Sequence, residues 1–184
     1  MSEILFQKFQ KESLPELSAI LEKEYYDDIS SLCTTAGMHA DDLKNDPEFP
    51  PRSAYAENCN ELITEVVKAI NERKQAVIPY VQALSKKLNE HHDCSSCNGR
   101  CTVGHALHID LLKNSHRKIR DVLFRLQQEA KPHYLSNNNQ HLQYRILRNE
   151  VMIIDNAISE LFYLEETVLI PKILDAQNSI NVHS

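Results

Sequence analysis

The chain has 184 residues, of which 42% are apolar and 25% charged, with only three glycines and no tryptophan. That is room for one well-buried core, and the scarcity of glycine at this apolar share points to a helical domain and away from disorder. A formal charge of -6 without a basic run excludes the usual electrostatic footprint of a nucleic-acid binder.

The opening MSEILFQKFQ breaks any signal-like stretch with charges, and no apolar run reaches the roughly 18 residues a membrane span needs. A soluble, cytoplasmic protein with reduced thiols is the expectation, without nucleic-acid or membrane partners.

The first helix is predicted to begin near Ser13, with Pro15 in its first turn and Leu14, Leu17, Leu21, Tyr25 and Leu32 on one face. Gly37 reads as its stop. Three prolines in NDPEFPPRS (45–53) make a connector. A long second helix follows over 53–92, with Cys59, Leu62, Ile63, Val66, Ile70, Val77, Val81, Leu84 and Leu88 inward. Pro79 should kink this helix without breaking it, because the stripe resumes in register.

After a cysteine loop (93–104), a third helix fits His105 to Ala130 on Leu112, Ile119, Val122, Leu123 and Leu126. The fourth fits Leu142 to Leu174 on Leu147, Val151, Ile154, Ile158, Leu161, Val168 and Leu169, and the tail (175–184) reads as frayed. Four such stripes and no strand alternation predict an all-α, up-down four-helix bundle, one domain spanning 1–184.

Bundles bind metals through polar side chains on inward faces, so misplaced polar residues matter. At about 100° per residue, His105, His108 and His116 share the inner side of the third helix. Glu150 and Glu165 fall on the apolar stripe of the fourth, and Glu24 and Asp28 flank Tyr25 on the first. Buried acids and histidines together imply mutual pairing or a shared cation.

The densest chemistry lies in HHDCSSCNGRCTVGHALH (91–108). Cys94-x-x-Cys97 gives the bite of a zinc knuckle. Cys101 with His105 or His108 would complete a site, and His91 and His92 stand just before it. An iron–sulfur cluster on the three cysteines, a redox pair of Cys94 and Cys97, and a stapled loop are the alternatives. Zinc and iron are not separable from such ligands. Cys33 and Cys59 read as small buried thiols.

LFYLEETVLIPKI (161–173) resembles the last helix of the hemerythrin-like, or HHE cation-binding, family, and HIDLLKNSHRKIRDVLFRL (108–126) is similar to its third helix. The likeness covers the C-terminal half. It implies a four-helix bundle with a non-haem di-iron centre, and for some members a part in oxygen or nitric oxide sensing and in iron–sulfur repair.

By that resemblance Glu165 matches the last carboxylate ligand and His116 the third-helix histidine. The rest of the set departs from the family. Arg120 stands where an acid would follow His116, Leu161 stands where a histidine would precede Glu165, and Ser95 and Ser96 replace an acid after His91 and His92. No histidine precedes His39. If the ancestral site is lost, Leu161 fills it and His116 and Glu165 remain as a hydrogen-bonded pair.

The sequence thus suggests a metal-binding bundle that senses or carries metal, small gas or redox state, with iron or zinc held by Cys94, Cys97, Cys101, His105 and His108. A non-catalytic interaction module and a thiol redox protein are the alternatives. A protein partner cannot be named from the sequence.

Overall fold

The computed structural model describes residues 7–46, 54–90, 100–134 and 142–182, with the side chains of 54, 100–106, 131–134 and 181–182 left out. The described residues form four long helical rods and no strand. We denote them α1 (14–45), α2 (54–89), α3 (Arg100–Tyr134) and α4 (142–182). The first half of α2 lies against both the second half of α1 and α3. The end of α2 lies against the start of α1 and the end of α4, so α1 and α2 run antiparallel.

Local chemistry explains where α1 begins. Ser13 and Glu16 form a reciprocal capping box: Glu16 N–H donates to Ser13 Oγ (3.4 Å) and Ser13 N–H donates to Glu16 Oε2 (2.9 Å). Pro15 sits in the first turn, where its missing N–H costs nothing.

Three rods carry a π turn: Leu21–Tyr26 in α1, Arg73–Val77 in α2 and Glu165–Leu169 in α4. Two of them share a cause. RKQAVIP (73–79) and EETVLIP (165–171) each end in a proline that cannot donate to the carbonyl four residues back. The residue before it bonds instead five back, Ile78 N–H to the Arg73 carbonyl and Ile170 N–H to the Glu165 carbonyl. Pro79 is thus absorbed by a change of helical register. The α1 turn has no proline, and it carries the buried stripe from Leu21 to Tyr26 in one five-residue step.

That step shifts the rest of α1. Tyr26, Ile29, Cys33, Ala36, Ala40 and Leu43 form its buried face, while the expected Tyr25 and Leu32 pack at the core's edge and Glu24 and Asp28 are exposed. The predicted inner residues of α3 and α4 are buried, and those of α2 likewise except Ile63 and Leu88, which pack at the edge.

Gly37 does not end α1. The helix continues to Asn45, which brings His39 into it, and His39 Nδ1 lies 2.7 Å from Glu150 Oε1. α4 continues to Val182 with Ile173, Ala176 and Ile180 buried, past the point where the sequence suggests fraying. α3 starts five residues before the expected His105.

A Cβ added at Gly37 would meet only Ile63 Cδ1 at 3.8 Å, an ordinary contact. Gly37→Ala should therefore stabilise the protein by about 0.5–1 kcal/mol, read as a higher melting temperature. An unchanged or lower value would mean that the helix does not run through this position.

Candidate functional site

Three of the four rods bring buried polar side chains to one level of the bundle, and Tyr26 joins them from α1. Glu165 and Arg73 each open a π turn, and Tyr26 closes one. Glu165 is 0% exposed, His116 1% and Arg73 2%, so each must find its partners inside the protein.

They find them in each other. Arg73 grips Glu165 with two parallel bonds, Nε to Oε1 at 2.6 Å and Nη2 to Oε2 at 2.8 Å. Its remaining nitrogen, Nη1, donates to the Ala69 carbonyl and to Ser115 Oγ, both at 3.0 Å. The Ser115 hydroxyl in turn donates to the Leu112 carbonyl at 2.8 Å. The Tyr26 hydroxyl donates to Glu165 Oε1 at 3.2 Å.

His116 bridges two carboxylates. Its Nε2 lies 2.6 Å from Glu165 Oε2 and its Nδ1 lies 2.9 Å from Glu166 Oε1. Each contact is a hydrogen bond where the ring nitrogen carries the proton, since a carboxylate can only accept. Its face stacks on Phe162 with centroids 3.9 Å apart. Arg120 Nη1 reaches Glu166 Oε1 at 3.0 Å and the guanidinium lies over the same Phe162 ring. Two guanidiniums and an imidazole thus surround two carboxylates.

The electrostatics reflect this arrangement. Burial alone would push the Glu165 carboxyl up, but Arg73 and then His116 outweigh it and hold the group at about 2. Glu166 also ends below the usual range, with burial opposed by its bonds to Arg120 and His116. Burial and the nearby Glu165 charge push the Tyr26 phenol well up, so it stays a donor. Against the opposing effect of burial, Glu165 also keeps Arg73 firmly charged.

The di-iron centre implied by the hemerythrin-like resemblance does not fit these residues. A guanidinium already occupies both oxygens of Glu165. Leu161 is packed in the core where a histidine ligand would be needed, and Arg120, paired to Glu166, stands in place of an acid. Among the described residues no group of three or more His, Cys, Asp or Glu side chains could hold a metal ion. His116 and Glu165 are brought together as a hydrogen-bonded pair.

His91, His92, Cys94 and Cys97 lie outside the described residues, and Cys101 and His105 are described only as positions in the first turns of α3. His108 is half-buried at the same end of α3, its ring stacked on Tyr80 with centroids 4.1 Å apart and planes 10° from parallel. Gln177 Nε2 donates to the Tyr80 hydroxyl at 2.9 Å, so α2, α3 and α4 meet there. Cys33 and Cys59 are free, buried thiols; burial pushes Cys33 up to about 12 and, aided by Glu129 and Glu150, raises Cys59 further.

Sequence reasoning missed Arg73, Tyr26, Ser115 and Glu166. A signal for Arg73 was present: it lies on the apolar stripe three residues after Ile70 and four before Val77. No family model, curated protein or solved structure matches the chain. No helix of the described residues is long and apolar enough to cross a membrane.

A carboxylate held below its unfolded value stabilises the fold fully above that value and loses this contribution as pH falls toward the folded one. Glu165, ordinarily at 4.5 and here at about 2, should make stability fall steadily across that window. Urea unfolding at stepwise lower pH should show the decline. Glu165→Gln should be less stable at neutral pH and show a flatter dependence; an equally steep profile would place the acid sensitivity elsewhere.

Proposed function

We propose that the protein is a hemerythrin-like helical bundle, working in the cytoplasm, that senses or carries a metal ion, small gas or redox state through its cysteine–histidine segment and not through its centre. The observation that carries this reading is one of register. Because α3 starts at Arg100, Cys101, His105 and His108 follow one another at steps of four and three residues, the spacing that sets positions on one helical face. Cys94-x-x-Cys97 supplies a two-thiolate bite immediately before that face.

The sealed ionic centre supports the same reading from the other side. With Glu165 saturated by Arg73, His116 and Tyr26, this carboxylate is not open to a metal ion, and the sequence gathers its soft ligands in 91–108. Zinc or iron suits that ligand set. Zinc would act structurally, and iron would add redox or gas chemistry.

Protein purified anaerobically under reducing, chelator-free conditions should contain near-stoichiometric zinc or iron by elemental mass spectrometry, with visible absorption only for iron. Replacing Cys94, Cys97 and Cys101 by Ala should remove the metal and lower the melting temperature. Metal-free protein whose melting is indifferent to those replacements would end the proposal. It would favour the interaction-module reading, which draws on the exposed apolar side chains of α4.

A further inference from the structure

A surface helix ordinarily buries one stripe and turns charge to the solvent. α4 does not. Opposite its buried stripe, Leu142 is 66% exposed, Ile153 52%, Met152 50%, Tyr163 39% and Ile146 37%. Isolated apolar side chains at a surface need no explanation. Leu142, Ile146, Ile153 and Tyr163 follow one another at 4, 7 and 10 residues, close to whole turns, along about 33 Å of one helix. Between Leu142 and Tyr163 this outer face carries two charges, Arg145 near one end and Glu160 near the other.

The order of residues along the face is symmetric about its midpoint. Laid antiparallel on a copy of itself, with a two-fold axis between Met152 and Ile153, four pairs of positions meet as complements, while Ile146 falls opposite Ser159. Arg145 falls opposite Glu160, Asn149 opposite Asn156, Leu142 opposite Tyr163, and Met152 opposite Ile153. Asn149, Asn156, Arg145 and Glu160 are all exposed, so their ends are available to such a contact.

We infer that this face of α4 is an isologous interface at which a second copy of the chain docks antiparallel. The charge arrangement carries the choice of occupant. Two opposite charges equidistant from the midpoint form two identical ion pairs across a two-fold axis, which a partner of unrelated sequence has no reason to match. The asparagines, near the axis and opposite each other, would fix the register, because a four-residue slip sets one amide against Met152 or Ile153 and parts both charge pairs. The leucine–tyrosine and methionine–isoleucine contacts would supply the apolar burial.

Sedimentation equilibrium in reducing buffer at concentrations up to about 200 µM, a range that covers weak interfaces of this size, tests it. The wild type should shift from monomer to twice the monomer mass. Arg145→Glu and Glu160→Arg should each weaken the dimer about tenfold or more, because like charges then face each other twice. The double variant R145E/E160R, which exchanges the two charges, should restore association, and so also shows that the single variants fold. Ile153→Asp, at the axis, should leave a monomer with unchanged helical circular dichroism. A wild type that stays monomeric throughout, or a dimer indifferent to Ile153→Asp and not rescued by the charge exchange, would overturn the inference.

Discussion

A carboxylate with no exposure to water costs several kcal/mol unless cations meet its oxygens, and Glu165 is such a group at the middle of the bundle. Much of the central packing results from satisfying it. Arg73 must come from α2 at the same level, His116 from α3, and Tyr26 from α1, so one residue ties the four rods into a common register. Breaking any of these contacts leaves a buried charge or donor without a partner, which costs more than the contact itself contributes.

Two prolines help to place the key charges. Pro79 and Pro171 each lie six residues after the charged residue that opens a π turn, Arg73 in one rod and Glu165 in the other. The wider turn accommodates the proline ring against the preceding carbonyls and rotates the C-terminal part of each rod relative to its N-terminal part. Guanidinium and carboxylate are thus delivered by equivalent local structures on two different helices. The same arrangement accounts for the misfit with a di-iron centre, since the cation that balances Glu165 is already attached to the chain.

The core was largely legible because its signal is periodic. Stripes such as Leu147, Val151, Ile154 and Ile158 identify their helix from spacing alone, and Ser13 with Glu16 marks a helix start. Register changes were not legible to the same reasoning. A constant 100° step puts Tyr25 inward, whereas the π turn buries Tyr26. Gly37 reads as a stop, yet α1 continues to Asn45, since a helix flanked by packed partners tolerates one glycine. The pairing of His116 with Glu165 could be anticipated from two polar residues on apolar stripes. Arg73 carries the same mark on α2, between Ile70 and Val77, but a lone arginine on a stripe does not name the acid on another helix that it pairs with. The recurrence of Ile-Pro after both Arg73 and Glu165 was in plain sight, and only the five-residue hydrogen bonds gave it meaning.

The central claim is that Arg73 and Glu165 neutralise each other inside the bundle. A double-mutant cycle on unfolding free energy tests it most directly. Arg73→Met and Glu165→Leu should each destabilise by about 3–5 kcal/mol, since each strands a buried charge. The double variant should cost clearly less than the two singles together and no more than the worse of them, because both charges then leave at once and His116 keeps Glu166. Additive losses in the double variant would show that the two groups do not depend on each other, and the account of the centre would fail.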